Sequence, residues 1–209
     1  MVKAALYAAL LLCALHAAAG RAPANTVRTA LVSLCDPAKI ATLTSDRAAN
    51  PRVRKIAYWL EVARQQGRDP QAEMDAVMEA VGWGGTLKGE LTSKAMVRNR
   101  IIAERLGCLD EEGMERMRRG ASPTVKRGPY AGEKLHVDHI IPRSVSPALD
   151  LVLANLELMP ASLNYRKGRK VGQRQVDLAN KLHAASALSA SDRDVVLERQ
   201  IRGYDGDES

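Results

Sequence analysis

Aromatic residues are scarce in this chain. Its 209 residues include two Trp, five Tyr and no Phe, so aromatic residues make up only 3%. The hydrophobic core must therefore be built from Ala, Leu, Ile, Val and Met, which suits packed helices. Hydrophobic residues still make up 46% and charged residues 26%, which is typical of a globular chain rather than a disordered one. The length suffices for one ordinary domain with a small appended module.

Cysteine is also rare, and no CxxC pair is present, so a cysteine zinc site with the usual spacing is excluded. Apart from Cys13 near the N-terminus, the chain has only Cys35 and Cys108. In an oxidising compartment these two could pair and stabilise the fold by about 2–5 kcal/mol. Two buried free thiols are the alternative, and the sequence leaves both readings open.

The apolar run at the N-terminus is too short for a membrane span. It extends over the 16 residues from Ala4 to Ala19, whereas a span needs roughly 20. Lys3 precedes the run and small residues follow it, which is the layout of a secretory signal peptide over residues 1–24. Cleavage after Ala19 or Ala24 predicts an exported protein, periplasmic or secreted, without stable membrane association. An uncleaved membrane anchor is the alternative.

The net charge of the whole chain is +7. Removal of the leader takes away Lys3 and Arg21 but no acid, so the remaining chain stays basic. A basic protein is predisposed to bind polyanions such as nucleic acid or an anionic membrane, although charge alone selects neither partner.

Residues 25–120 show helical periodicity. Asn50-Pro51 is typical of an N-cap followed by a first-turn proline, and Asp69-Pro70 repeats that signal. Further helices are predicted from Thr92 to Leu106 and from Asp110 to Arg119. The Met, Leu and Val residues at helical spacing are interpreted as core.

The pattern changes after residue 120. Residues 121–134 are rich in Pro, Gly and polar residues and predict a linker or an irregular loop. A strand is predicted over LHVDHII, a second short apolar segment follows at LANLELM, and a helix is predicted to begin at Pro160. Residues 171–209 predict two C-terminal helices. Residues 144–152 remain unassigned between coil and one helical turn.

The stretch LHVDHIIPRS contains Asp138 and His139 side by side. Adjacent strand residues point to opposite sides, so the acid could hold a metal while the imidazole, with its ordinary pKa near 6.5, activates a nucleophile. Asn155 follows 17 residues after Asp138, and Asn164 follows 26 residues after it. Lys167 shares a helical face with Asn164. Basic residues are concentrated nearby: Arg166, Arg169 and Lys170.

The run VDHIIPRS followed by ANLELMPASLNYRKG resembles the HNH endonuclease family, whose core is a ββα-metal finger. The resemblance covers about residues 133–170, where chemically distinct positions follow one another at the family's spacing. It implies a mostly α-helical α+β protein in which a small ββα-metal finger, within residues 121–170, is flanked by helices.

The resemblance also implies roles for single residues. His139 looks like the general base, and Asp138 and Asn164 look like the metal ligands. Asn155 looks like the central Asn that ties the loop to the second strand and helps to orient His139. Lys167 looks like a cation on the phosphate side, with Arg166 and Lys170 nearby as further phosphate-binding residues.

One carboxylate and one amide oxygen suit Mg²⁺, with Mn²⁺ as an alternative. The expected activity is metal-dependent hydrolysis of DNA phosphodiester bonds with little sequence selectivity, and RNA remains an alternative substrate. Many members of the family carry CxxC pairs that bind zinc. Here Pro160 and Leu163 stand at the matching positions near the helix.

His136 lies two residues before Asp138 and is open between an auxiliary role in the site and a surface position. A metal pair formed by His136 and His139 is disfavoured, because the β-branched residues and Pro142 argue against a helix that would align the two rings. His183 is interpreted as structural. The rival interpretation of the whole chain is a secreted nucleic-acid-binding protein with an inactive HNH finger.

Overall fold

The computed structural model describes residues 24–205. The predicted leader therefore lies almost wholly outside the described residues. Within the described range the protein is an α+β fold with many helices and a single two-stranded antiparallel sheet, so the predicted fold class is confirmed at that level. The same range contains no helix with both the length and the apolar character needed to cross a membrane.

The N-terminal part is a bundle of helices. They are α1 (Ala24–Cys35), α2 (Pro37–Ala41), α3 (Asn50–Gln65), α4 (Pro70–Ala80), α5 (Leu87–Arg105) and α6 (Glu111–Arg118). Side-chain oxygens of Asp36, Asp69, Thr86 and Asp110 accept hydrogen bonds from main-chain N–H groups in the first turns of α2, α4, α5 and α6. These caps satisfy donors that have no partner inside a helix.

Two helix starts differ from the sequence prediction. Helix α5 begins at Leu87 rather than at Thr92, because Thr86 caps it by accepting from Gly89 N at 3.0 Å. In α3 the N-cap position is Ala49, and Asn50 is the first helical residue. Asn50 does not cap the helix, because its amide is directed to the carbonyl oxygen of Val137 at 3.5 Å. Asn50 thus connects the helical bundle to the strand that carries the site.

The sheet pairs β1 (Leu135–His139) with β2 (Leu156–Pro160), and α7 (Ala161–Lys167) follows at once. The loop between the strands contains two 3-10 turns, Pro147–Leu149 and Leu153–Asn155, so the unassigned segment holds one short turn. Asn99 of α5 covers the outer edge of β2: it donates to Leu156 O at 2.9 Å and accepts from Leu158 N at 2.7 Å. This side chain replaces a third strand.

The two faces of the sheet are covered by different elements. Leu135, Val137 and Leu158 belong to the same hydrophobic core as the helical bundle. The opposite face carries His136 and Asp138 and is contacted by side chains of α7. Residues 121–134, predicted as a linker or loop, are irregular but ordered: Val125 is fully buried and Thr124 pairs with Lys134. The boundary predicted at residue 120 thus falls within a shared core.

Helices α8 (Gln173–Ala184) and α9 (Ala190–Glu198) close the described chain. They form a second hydrophobic core with the loop between the strands, through Ile141, Val145 and Leu149. Leu153 of the same loop belongs to the core of the helical bundle, so the loop packs against both cores.

Candidate active site

A cleft of about 660 Å³ opens where β1 ends. Its lining includes His136, Asp138 and His139 from the strand and Asn164 from α7. Four of the residues selected from the sequence therefore share one concave surface. Such a concentration of polar groups in a cleft is the usual setting of an active site.

His139 is buried, with 5% of its surface exposed. Its Nε2 is 3.3 Å from the main-chain oxygen of Asp150 and 2.8 Å from Asp150 Oδ1. The N–H is aligned with the main-chain oxygen, and Oδ1 is a buried acceptor without a hydrogen bond among residues 24–205. Because Asp150 presents only acceptors here, the proton of the neutral ring belongs on Nε2. The other ring nitrogen, Nδ1, is then the basic one.

Asp150 was not selected from the sequence. It lies in the segment that could not be assigned, 11 residues after His139. One signal was available: Asp150 is the sole carboxylate among residues 140–155. Only the folded loop shows that this carboxylate turns back towards the imidazole.

Asn155 is fully buried and clamps the loop that follows β1. Its Oδ1 accepts from Ile141 N at 2.8 Å, and its Nδ2 donates to Ile141 O at 3.0 Å. The main chain adds a third bond, from Ile140 N to Asn155 O at 2.8 Å. These three bonds define the direction in which the chain leaves His139, in keeping with the tying role expected for Asn155.

Lys167 does not lie where the sequence pattern predicts it. It is 1% exposed and does not line the cleft. Helix α7 packs with Leu163 and Lys167 inward, four residues apart on one face, so Lys167 shares its orientation with Leu163 rather than with the half-buried Asn164. Its Nζ donates to Asp138 Oδ2 at 2.6 Å and to His139 O at 2.7 Å. Lys167 thus forms an internal ion pair with Asp138.

Asp138 is buried, which disfavours its charged form. Burial raises its pKa above the ordinary value, although the ammonium of Lys167 and the hydrogen bond from Lys167 act in the opposite direction. A buried carboxylate with a raised pKa in a cleft is a candidate functional group on physical grounds.

His136 contacts the second predicted ligand. Asn164 Nδ2 donates to His136 Nδ1 at 3.4 Å, which leaves Asn164 Oδ1 as the acceptor of that amide. Burial, and then the positive charges of Arg54 and Arg47, lower the pKa of His136, which favours the neutral ring that can accept this bond. Tyr165 packs edge-on against the ring with centroids 5.6 Å apart. His136 is therefore half-buried in the cleft and orients Asn164.

Arginines surround the opening of the cleft: Arg47, Arg143 and Arg169. Of these, Arg47 comes from the loop between α2 and α3, far in sequence from the two strands and α7. The predicted phosphate-binding residues Arg166 and Lys170 are exposed but do not belong to the lining. Lys170 lies over the ring of Tyr204, 5.5 Å from its centroid.

The carboxylate and amide oxygens in the cleft belong to Asp138 and Asn164. Lys167 contacts one carboxylate oxygen of Asp138, and Asn164 retains its amide oxygen. Mg²⁺ prefers such donors and keeps several waters, so this two-residue set fits a weakly held, largely hydrated ion. Within the described residues no group of three or more His, Cys, Asp or Glu side chains is placed to hold a metal.

The other residues singled out from the sequence have structural positions. His183 Nδ1 is 3.0 Å from Leu188 O, at the end of α8. Cys35 and Cys108 are both buried free thiols, so the structure favours the second of the two readings.

A scan against protein-family models finds no match for this chain, and searches of curated proteins and of solved structures likewise find none. The function must therefore be argued from the site.

Proposed function

We propose that this protein is an HNH-type endonuclease that hydrolyses DNA phosphodiester bonds with the help of a divalent metal. The observation that carries the proposal is His139, buried beside Asp138 in the cleft with its Nε2 held by Asp150. This arrangement leaves the lone pair of Nδ1 free to accept a proton, next to a carboxylate and below a rim of arginines.

The side chains divide the chemistry between them. A water in the cleft gives its proton to Nδ1 of His139 as its oxygen attacks phosphorus, and the bond from phosphorus to the leaving sugar oxygen breaks. Asp150 accepts from Nε2 throughout and stabilises the imidazolium that forms. Asn155 acts at a distance from the reaction by keeping the main chain at Ile141 in place.

Asp138 and Asn164 would hold the metal, with Mg²⁺ favoured and Mn²⁺ as an alternative. When bound, a divalent ion supplies Lewis-acid polarisation of the phosphate and compensates charge on the leaving oxygen. Lys167 orients Asp138 by taking one of its oxygens, and His136 orients Asn164 through its amide nitrogen.

The rival function is a nucleic-acid-binding protein whose finger is inactive. One observation favours it: the ammonium of Lys167 already compensates the charge of Asp138, at 2.6 Å. The two functions differ in one measurable property, because a binder retains DNA without cutting it.

The test is cleavage of supercoiled plasmid by the chain lacking residues 1–24, with Mg²⁺ or Mn²⁺ and then with EDTA. Metal-dependent nicking is expected, and its absence across several metals and pH values would overturn the proposed nuclease activity. His139→Ala should lower the rate by about 10²–10⁴. His183→Ala is the matched control, since that ring contacts Leu188 O away from the cleft, and it should cut like the parent. Linear single-stranded DNA and RNA substrates establish the substrate class.

We also propose that the protein is exported after cleavage of residues 1–24. The support is the sequence pattern of the leader alone. N-terminal sequencing of the exported product should begin at Gly20 or Asn25. An intact Met1 in a membrane fraction would instead favour the anchor.

A further inference from the structure

The cleft contains a second functional feature, at its rim. Building on the proposed nuclease function, we infer that Arg47, Arg143 and Arg169 form a phosphate-binding subsite that holds the substrate strand across the opening. These three residues line one cleft but come from three separate segments: the loop before α3, the loop after β1 and the turn after α7. Convergence of three guanidinium groups on one concavity is what recognition of a polyanion needs.

The position of Arg47 is set by the residue that also contacts the catalytic histidine. Arg47 N donates to Asp150 Oδ2 at 3.3 Å, across 103 residues of sequence. The other oxygen of the same carboxylate is 2.8 Å from His139 Nε2. Asp150 therefore couples the placement of the rim to the placement of the imidazole.

Arg47 adopts a strained conformation. Its φ is 57°, in the left-handed region that a residue with a Cβ enters only at an energetic cost. Such strain persists where surrounding contacts over-determine it, and it concentrates at ligand-binding segments. The hydrogen bond to Asp150 is one such contact.

The charges of the rim favour an anion. The exposed side chains of Arg47 and Arg169 form no ion pair within residues 24–205. Arg143 is paired with Asp46, an exposed carboxylate whose pKa is lowered by that guanidinium. Inside the cleft Asp138 is compensated by Lys167. The uncompensated positive charge therefore lies at the opening, where low-dielectric walls focus its field on an approaching phosphate.

A rim shared between segments has a consequence for the substrate. Arg143 and Arg169 belong to the finger, whereas Arg47 is supplied by the helical region. Three separate cations suit a strand with several phosphates better than they suit a single phosphomonoester. The helical region is thus part of the binding surface and does more than support the finger.

The test measures binding apart from cleavage. A fluorescent 20-nucleotide DNA strand is titrated into the His139→Ala protein at several salt concentrations, with and without Arg47→Gly, which keeps the left-handed φ accessible. Loss of Arg47 should weaken binding about tenfold at low salt and reduce the slope of log K against log salt by about 0.7. Arg169→Ala, at an exposed residue, should act in the same way, and Arg47→Lys should restore part of the affinity.

Arg105→Ala is the charge-matched control, because Arg105 is exposed on a different groove, near Tyr130. It should change neither the affinity nor the slope. In the active parent background, Arg47→Gly should raise KM more than it lowers kcat.

The outcomes separate the subsite from the nuclease. One outcome is a parent protein that binds the strand through Arg47 and Arg169 but never cuts it. That result supports the subsite and overturns the proposed nuclease activity. Cleavage with unchanged KM and salt slope in both variants overturns the subsite and leaves the enzyme standing. If the parent protein does not bind the strand, the subsite is wrong.

Discussion

The buried acids of the helical region and the buried acid of the cleft have pKa values that are shifted in opposite directions. Glu61 and Glu73, on α3 and α4, are 2% and 5% exposed, and each is paired with two arginines. Burial alone would raise their pKa values, but the arginines outweigh it and hold both pKa values below the ordinary one. Asp138 has one lysine as its partner, and burial wins, so its pKa is raised.

The same difference in basic partners separates two acids on paired strands. Asp138 and Glu157 are directly opposite in the register of β1 and β2. Glu157 is contacted by Arg174, at 2.6 and 2.7 Å, and by Arg98 at 3.0 Å. A guanidinium can bind both oxygens of a carboxylate, whereas an ammonium acts as a point charge. The buried acids of the helical region and Glu157 thus have guanidinium partners, whereas the acid that lines the cleft has an ammonium partner.

The largest expected effect comes from breaking an arginine-paired acid. Glu61→Gln removes the buried carboxylate beside Arg100, which is 5% exposed and keeps only the more exposed Glu104 as a charged partner, and an arginine cannot release its proton. The free energy of unfolding should fall by about 3–5 kcal/mol, measured with urea. Glu90→Gln, in an exposed pair with Lys94, is the control and should change it by less than about 1 kcal/mol. Equal losses in the two variants would contradict the comparison.

A smaller loss is expected for Lys167→Met. The carboxyl group of Asp138 can take up a proton once its partner is gone, so the cost should be about 2 kcal/mol at neutral pH. Because the pKa of Asp138 is raised in the folded protein, the folded state binds more protons than the unfolded state. The loss should therefore shrink as pH falls from 7 towards 5. The double variant Asp138→Asn, Lys167→Met tests the same pair: it should recover stability without recovering cleavage.

Acid should lower the free energy of unfolding through Glu61 and Glu73, because their pKa values are shifted in the direction opposite to that of Asp138. The pKa values of Glu61 and Glu73 are lowered in the folded protein, so their contribution is present above the ordinary value of 4.5 and is lost as pH falls through the folded values. Urea unfolding at pH 6 and pH 3 should show this fall in the free energy of unfolding, smaller than the loss expected for Lys167→Met. The fall should be smaller in Glu61→Gln, Glu73→Gln than in the parent.

The smallest effect concerns the cysteines. Burial raises the pKa of both thiols to about 12, so Cys35 and Cys108 should react slowly with iodoacetamide in the folded protein and rapidly in denaturant. A reductant should leave the unfolding temperature unchanged, because both cysteines are free. A drop on reduction would show that a disulfide forms in solution.

Local signals predicted much of the fold. Asp69-Pro70 marked the start of α4, and Asp110 marked the start of α6, because caps act within one turn. The start of α5 was placed five residues too late, since the glycines around Trp83 concealed the cap at Thr86. Asn50 was mistaken for a cap because its actual partner, Val137 O, is 87 residues away.

The candidate site was predicted in part. The family resemblance, carried by a short motif, selected Asp138, His139 and Asn164, which line one cleft, and Asn155, which clamps its loop. The burial of Lys167 was not predicted, because helical spacing shows which residues share a face but not which face packs inward. Arg47 and Asp150 were missed because neither belongs to a short motif.

The sequence by itself determined the helix boundaries set by local caps, the order of the strands and α7, and the adjacent carboxylate and imidazole of Asp138 and His139. The tertiary structure decided which atoms meet: Lys167 on Asp138, Asp150 on His139 and on Arg47. The reason is physical. Capping and periodicity act within a few residues, whereas an ion pair depends on where packing brings distant segments together, and burial then sets how strongly its charges interact.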